Sequence, residues 1–289
     1  MPAEIPFADL AFLYAPQIVL AMLLAVGCAV LGVLAQVRQL AVVSLTITQA
    51  CTAGSAIALA FAWQHDLSAI VLAVAMALPV HFLSRRQNTG AVLVIAFVIY
   101  AALAELLVGM FGLPDHVVRS YFGDVLLTTP DLFLLVVITL AALLLLALLF
   151  RKAIILWLID SDEALLAGVR VAWLEFGFFL ALSLAIAMAG RVLGGFQTAA
   201  QVVIPGYIGL RALRSLRAAL IFAGIFAALA TGCGFLASLV SVPTASGTLY
   251  ISTSSTIILT LGLGLFLVWM GMKGLGRAGC SGAKAGSPS

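Results

Sequence analysis

The chain has 289 residues, of which 64% are hydrophobic and 9% are charged, and its mean hydropathy is +1.26. This composition excludes a soluble globular domain and predicts an all-α integral membrane protein. The formal net charge of +3 does not indicate nucleic-acid binding, because the Lys and Arg residues lie between apolar runs, where they report membrane topology. No nucleic-acid partner is therefore expected.

Apolar runs predict about eight membrane-spanning helices, which together form one membrane domain over residues 1–272. The predicted spans are 16–36, 40–63, 67–83, 90–112, 132–150, 172–193, 217–240 and 249–272. The segment 273–289 is rich in Gly and Ser and is predicted to be a disordered cytoplasmic tail.

A ninth, short crossing is predicted at 194–204, broken at Pro205-Gly206 and followed by a short basic helix. Its three arginines, Arg211, Arg214 and Arg217, are spaced three apart, which places them on one side of such a helix. With this crossing and an external N-terminus, all Lys and Arg residues except Arg119 and Arg191 lie on the cytoplasmic side. The charge pattern thus predicts a cytoplasmic C-terminus.

Soluble catalytic chemistry is not indicated. The four cysteines, Cys28, Cys51, Cys233 and Cys280, form no Cys-x-x-Cys pair, so neither a disulfide framework nor a zinc site is predicted. The sequence has no G-x-x-x-x-G-K-[ST] motif, so ATP is not bound by a P-loop in this chain. We expect no cofactor and no catalytic residue, and hence a protein that is not itself an enzyme.

Small polar residues follow one face of the second predicted helix, at a helical spacing of 0, 4, 7 and 11. The stripe consists of Ser44, Thr48, Cys51 and Ser55, with Thr52 at its border and Gln49 further round. One interpretation is the polar wall of a translocation path. The other is close helix packing, with the hydroxyl groups bonded to the backbone.

Two charges are predicted to lie within the membrane, Glu105 in the fourth span and Arg191 in the sixth. Charges at that depth usually have a partner, which predicts a buried ion pair; the alternatives are an outer vestibule or separate snorkelling to the headgroups. His81, near the end of the third span, is interpreted as an interfacial residue rather than a ligand. Glu175 is interpreted as a favourable charge at a helix N-terminus.

Four segments, in this order, resemble the membrane-spanning permease subunit of the bacterial ABC importers for zinc, manganese and iron. They are SYFGDVLLTTPD (120–131), IDSDEALLAGV (159–169), GGFQTAAQVVIPGYIGLRALRSL (194–216) and SVPTASGTLYISTSS (241–255). The third segment is similar to the family's ATPase-docking loop. The resemblance implies that docking involves Pro205, Gly206, Gly209, Arg211 and Arg214.

The same resemblance implies the partners and the location. It implies a separate ABC ATPase subunit, an extracytoplasmic metal-binding protein and a second permease subunit, either a copy of this chain or a related one. It also implies a multi-pass protein in the lipid bilayer of the bacterial inner membrane, and a divalent transition metal as cargo.

Family members usually carry an Asp and a His on the second helix and an Asp before the last one. Those places hold Leu45, Gln49 and Ser241 here, so the resemblance defines no metal ligand in this chain. The path is instead assigned to Ser44, Thr48, Gln49, Thr52 and Ser55. Two alternatives are kept open: a structural or non-metal-binding partner subunit of a heterodimeric importer, and, with less support, a secondary transporter, which would need paired broken helices.

Overall fold

The computed structural model describes residues 12–61, 66–84, 89–112, 130–239, 242–244, 247–249 and 252–283. Side-chain environments are described for 12–61, 70–82, 90–112, 131–239 and 252–270. Three features named above lie outside the described residues: Arg119, Ser241 and nearly all of the segment 120–131.

The described chain is built almost wholly of helices, which confirms the all-α fold class. In chain order they are α1 (Ala15–Val37), α2 (Ala41–Ala60), α3 (Asp66–Ser84), α4 (Thr89–Met110), α5 (Pro130–Leu149), α6 (Arg151–Ile159), α7 (Ser161–Leu166), α8 (Val171–Leu193), α9 (Gly195–Ala212), α10 (Leu216–Ser238) and α11 (Thr253–Ala283). A small antiparallel hairpin, β1 (Val242–Thr244) and β2 (Gly247–Leu249), lies between α10 and α11.

Among the described helices, seven are long and apolar enough to cross a membrane: α1, α2, α4, α5, α8, α10 and α11. Helix α3 contains a shorter apolar segment, Ile70–Phe82. These eight helices coincide with the eight predicted spans to within a few residues at most of their ends. Which end of each helix faces the cytoplasm stays a prediction.

The prediction of a break at Pro205-Gly206 is wrong. Helix α9 is continuous from Gly195 to Ala212 and contains Pro205. Its 18 residues measure about 27 Å at 1.5 Å per residue. A proline is tolerated inside a membrane helix when neighbouring helices bind the backbone groups around it. Gln36 of α1 contacts the backbone of α9 close to this proline: its Nε2 donates to the Val203 carbonyl oxygen at 2.7 Å.

The three arginines do not share one short helix, contrary to the prediction. Arg211 lies in the last turn of α9, Arg214 in the connection, and Arg217 in the first turn of α10. The connection is short because Ser215 caps α10 at once: its Oγ accepts from the Ala218 backbone N–H at 3.2 Å.

The last helix is longer than predicted. Helix α11 continues to Ala283 and so includes much of the segment 273–289 for which disorder is predicted. No proline interrupts the sequence between Thr253 and Ala283, and Gly alone weakens a helix without ending it. Residues 284–289 lie outside the described part of the chain.

Helix α2 lies at the centre of one half of the bundle and packs against α3, α4, α8 and α9. Helix α9 lies in the other half, against α1, α10 and α11 as well as α2. Glycines allow these helices to approach at backbone distance. A Cβ on Gly54 of α2 would be 2.5 Å from the Ala73 Cα of α3, and one on Gly209 of α9 would be 2.8 Å from the Ala219 carbonyl oxygen of α10.

Candidate translocation site between α2, α8 and α9

A small polar cavity lies where α2, α8 and α9 meet, and we name it the Thr52 cavity. Its volume is about 10 Å³, which is room for about one water molecule. Its lining consists of Thr48, Cys51, Thr52 and Ser55 of α2, Ile186, Ala187 and Gly190 of α8, and Gly195 and Thr198 of α9. A hydrated ion does not fit in so small a space, so if this face lines a translocation path the three helices must separate for an ion to pass.

The start of α9 is set by two glycines at this cavity. Gly194 ends α8 with a φ of +92°, a backbone conformation that favours glycine. Gly195 then lies against α2, where an added Cβ would be 2.7 Å from the Thr52 Oγ1. The Gly-Gly pair therefore turns the chain and brings the first turn of α9 against the polar stripe of α2.

The hydroxyl groups around the cavity donate to their own helices. Thr48 Oγ1 donates to the Leu45 carbonyl oxygen at 2.6 Å, and Thr52 Oγ1 donates to that of Thr48 at 2.8 Å. Thr198 Oγ1 donates to the Gly194 carbonyl oxygen at 2.8 Å. A hydroxyl has one donor and two lone pairs, so a hydroxyl whose proton is used in this way presents lone pairs. Such a wall is suited to a cation.

Three of the five predicted path residues thus lie at one cavity: Thr48, Thr52 and Ser55. Ser44 is buried one turn before it, where its Oγ donates to the Ala41 carbonyl oxygen at 2.7 Å. Gln49 is also buried but does not line the cavity. The backbone hydrogen bonds fit the packing interpretation as well, so the role of this face in transport stays a prediction.

A second polar group, which the sequence analysis missed, lies on another face of α9. Gln197 and Gln201 are fully buried, and Gln201 Nε2 donates to Thr231 Oγ1 of α10 at 2.6 Å. Among the residues that the structure describes, neither polar atom of the Gln197 amide has a hydrogen-bond partner, and the same holds for Gln201 Oε1. The i, i+4 spacing of two glutamines in an apolar context was the available signal.

An ionic and aromatic network, also missed, lies at the end of the bundle that carries α6 and α7. Arg38 Nη2 is 3.6 Å from Glu175 Oε1 and donates to Ser161 Oγ at 2.9 Å. The guanidinium carbon lies 4.6 Å from the centroid of the Trp157 ring, whose Nε1 donates to Glu175 Oε1 at 3.4 Å. Glu175 is therefore an ion-pair partner and not only a charge near a helix N-terminus.

This network borders a larger cavity, which we name the Trp157 cavity, of about 180 Å³. His81 also lines it and is buried in the protein, at 7% exposed. Its ring centroid lies 4.8 Å from that of Phe179 and 5.5 Å from that of Phe176, both on α8. His81 thus packs on the same stretch of α8 that carries Glu175.

The residues predicted to dock an ATPase fall into two groups. Pro205, Gly206 and Gly209 are buried within α9, where a Cβ on Gly206 would be 2.7 Å from Gln36 Nε2 of α1. Arg211 and Arg214 are exposed. The three buried residues therefore fix the position of α9, and the exposed arginines are the ones that a partner can reach.

The predicted buried ion pair between Glu105 and Arg191 is wrong. Glu105 is exposed on α4, which packs against α2 and α3, whereas Arg191 is buried near the end of α8. Among the described residues the recorded ion pair is Arg38–Glu175. The sequence placed both charges near one end of the bundle but did not show which helices are neighbours.

Comparison with known protein families matches residues 12–268 to the ABC 3 transport family. Two curated relatives are each 26% identical to this chain. A probable iron transport system membrane protein from Haemophilus influenzae aligns over 181 residues, 62% of this chain and 64% of the relative, a little under two thirds of its length. The manganese transport system membrane protein MntC from Halalkalibacterium halodurans aligns over 82% of each chain.

Two solved structures share the fold. PsaBC from Streptococcus pneumoniae, in complex with a Fab, superposes with a TM-score of 0.78 at 18% identity, over 91% of this chain and 94% of that one. A protein described as a metal-chelate type ABC transporter, in an inward-facing conformation, gives a TM-score of 0.64 at 15% identity, over 93% of this chain and 90% of that one.

Proposed function

Because this chain belongs to the ABC 3 transport family, we propose that it is the membrane-spanning subunit of an ATP-driven importer for a divalent transition metal: zinc, manganese or iron. The proposal places it in the bacterial inner membrane with a separate ATPase, an extracytoplasmic binding protein and a second permease subunit. The relatives described as iron and manganese transport proteins support a metal cargo.

The observation that carries the proposal is the Thr52 cavity. Its hydroxyl protons are used within the helices, so Thr48, Thr52 and Thr198 turn oxygen lone pairs toward the junction of α2, α8 and α9. Neutral oxygens bind a divalent cation weakly compared with a carboxylate and an imidazole. Weak binding suits a path, because the ion must also leave it.

The ATPase is proposed to dock at the end of the bundle where α9 meets α10. Arg211, Arg214 and Arg217 are exposed there, and Arg211 lies against Tyr207, with its Nη1 3.3 Å from the Tyr207 Oη. Exposed ion pairs contribute only about 0–1 kcal/mol each. The shape of this end, set by the buried Gly206 and Gly209, is therefore proposed to matter more than any single arginine.

A structural partner subunit in a heterodimer is the second candidate. It is favoured by Leu45 and Gln49 at the places of the family's Asp and His, and by the small volume of the Thr52 cavity. In that case the other permease chain supplies the metal ligands.

The test is uptake of zinc, manganese and iron by cells in which the chain carries Thr52→Val. Valine keeps the shape and removes the oxygen, so uptake is expected to fall severalfold. The matched control is Thr139→Val on α5, since Thr139 is buried and donates to the Leu135 carbonyl oxygen at 2.8 Å in the same way. Equal uptake by both variants and the unmodified chain would favour the structural subunit.

A further inference from the structure

Arg38 lies in the short connection between α1 and α2. It follows the last residue of α1, and α2 begins three residues later, at Ala41. Within this connection Gln39 has a φ of +58°, and the Leu40 backbone N–H donates to the Ala35 carbonyl oxygen at 2.7 Å. A connection that is so short and hydrogen-bonded to α1 leaves little freedom, so the end of α1 and the start of α2 move together.

The Arg38 side chain contacts each of the three helices that follow α5. Its Nη1 donates to the Trp157 carbonyl oxygen of α6 at 3.4 Å, and its Nη2 donates to Ser161 Oγ of α7 at 2.9 Å. The same Nη2 is 3.6 Å from Glu175 Oε1 of α8, and the guanidinium carbon is 4.6 Å from the centroid of the Trp157 ring. A planar guanidinium holds several partners in one fixed geometry. Arg38 therefore ties α6, α7 and α8 to the connection between α1 and α2.

The helices that Arg38 joins lead to all three walls of the Thr52 cavity. Helix α2 lines the cavity with Thr52, and α8 lines it further along the helix that carries Glu175. Helix α9 is reached through α1, because Gln36, two residues before Arg38, donates to the Val203 carbonyl oxygen of α9. A displacement of Arg38 therefore acts on α2, α8 and α9 together.

The proposed docking surface adjoins the same short helices. Leu216, the first residue of α10, packs on the hydrophobic cluster that contains Trp157 of α6 and Ala164 of α7. It follows the exposed connection that carries Arg214. A partner that binds this connection and moves it therefore also moves α6 and α7, which hold Arg38.

We propose that Arg38 is a positioning residue that couples the ATPase to the translocation path, because it transmits a displacement of α6 and α7 to the three helices around the Thr52 cavity. The inference rests on the proposed function and adds the residue through which the docking end acts on the path. Arg38 touches no cargo in this role. Its loss leaves the docking surface and the path in place but removes the link between them, so that ATP is hydrolysed with little metal uptake.

The experiment measures ATP hydrolysis and the uptake of zinc, manganese and iron by proteoliposomes that hold the full chain with its ATPase and binding protein. Arg38→Gln is expected to lower metal uptake per ATP hydrolysed by about fivefold or more, the lower end of the range for coupling between two sites. ATP hydrolysis itself should continue, since Arg211 and Arg214 of the proposed docking surface are unchanged.

The matched control is Arg151→Gln, which removes an equally positive but exposed side chain from the start of α6. It should keep the uptake per ATP of the unmodified chain. Arg38→Lys keeps the charge but not the planar fork that reaches Ser161 and Trp157 together, so it should restore part of the lost uptake per ATP. If Arg38→Gln does not fold, Ser161→Ala tests the same link, because it removes the 2.9 Å hydrogen bond to Arg38 and should give a smaller fall.

A purely structural role of Arg38 predicts that hydrolysis and uptake fall by the same factor. That result, or an unchanged uptake per ATP in both Arg38→Gln and Ser161→Ala, overturns the coupling role. Uptake that is lost in Thr52→Val but stays fully coupled in Arg38→Gln overturns this inference alone. If the unmodified complex hydrolyses ATP and takes up none of the three metals, the proposed function is overturned, and the coupling role with it.

Discussion

Polar side chains inside the bundle differ in how far their hydrogen bonds are satisfied. Thr52 and Thr198 use their protons within their own helices and leave lone pairs at a cavity. Gln197 is fully buried, and both polar atoms of its amide lack a partner within the described part of the chain. An unsatisfied buried group costs about 1–3 kcal/mol. The amide of Gln197 therefore destabilises this conformation, whereas the hydroxyls do not.

This difference predicts the effect of Gln197→Leu. Leucine has a similar volume and needs no partner, so the free energy of unfolding should rise by about 1 kcal/mol or more. Thermal unfolding of the purified chain in detergent measures the change. Gln201→Leu is the comparison, because it gives up a 2.6 Å hydrogen bond to Thr231 and should gain less. A lower midpoint for Gln197→Leu would mean that the amide has a partner in the membrane.

At the level of residues, a feature that follows from helical spacing alone was predictable, and a contact whose partner is far away in the chain was not. The stripe of Thr48, Cys51 and Ser55 follows from the helical repeat, and these residues do share a cavity. Glu175 and Arg38 lie on different helices, and a sequence gives no distance between them. The same limit produced the incorrect pairing of Glu105 with Arg191.

At the level of helices, the position of α9 is set by backbone contact with α1. A Cβ added to Gly32 of α1 would collide with the Val202 carbonyl group of α9, because it would be 2.8 Å from the carbonyl carbon. Gly206 lies one turn further along α9, and a Cβ added there would be 3.1 Å from the Gly32 carbonyl carbon of α1. Helices that touch at glycine are the usual means of close packing in membranes. Gln36 adds its hydrogen bond to Val203 at this contact.

Gly32→Ala is therefore expected to destabilise the protein. The new methyl group forces α1 and α9 apart, and such overpacking costs about 1–3 kcal/mol. The matched control is Gly177→Ala on α8, where nothing lies within 4 Å of an added Cβ. There the change should stabilise by about 0.5–1 kcal/mol, since alanine favours a helix over glycine. Denaturation of both variants in the same detergent tests the pair, and equal midpoints would contradict the α1–α9 contact.

The helices themselves were predictable from apolar run length, because a span needs about 20 apolar residues. Helix α9 was not, since Pro205 and Gly206 indicate a break and Gln197 and Gln201 lower its hydropathy. Helices α1 and α10 cover its polar side: Gln36 of α1 donates to the Val203 carbonyl oxygen, and Thr231 of α10 accepts from the Gln201 amide. Local sequence carries no information about such cover.

For the whole molecule, one end of the bundle collects the short helices and the exposed arginines. Leu216 of α10 packs on the cluster formed by Trp157, Leu158 and Ala164, so α6 and α7 lie beside the connection from α9 to α10. The proposed docking surface and the Arg38 network are therefore at the same end. An ATPase that binds there has direct access to the helices that hold Arg38.

This arrangement works only if that end faces the cytoplasm, which the distribution of Lys and Arg predicts. The prediction is tested with single cysteines in a chain whose four native cysteines are replaced by Ala. Arg214→Cys, on the exposed connection, should resist an impermeant thiol reagent in intact cells and react once the membrane is opened. Ser215 is avoided because it caps α10.

The control is Phe12→Cys, since Phe12 is 84% exposed just before α1, at the end predicted to lie outside. It should react in intact cells. Phe12 lies just before the start of α1, whereas the connection after α9 lies at the end of the bundle where α1 finishes. The two cysteines are therefore on opposite sides of the membrane only if α9 crosses it. Labelling of Arg214→Cys alone in intact cells would invert the predicted topology and contradict the proposed docking surface. Labelling of both would mean that α9 does not cross the membrane.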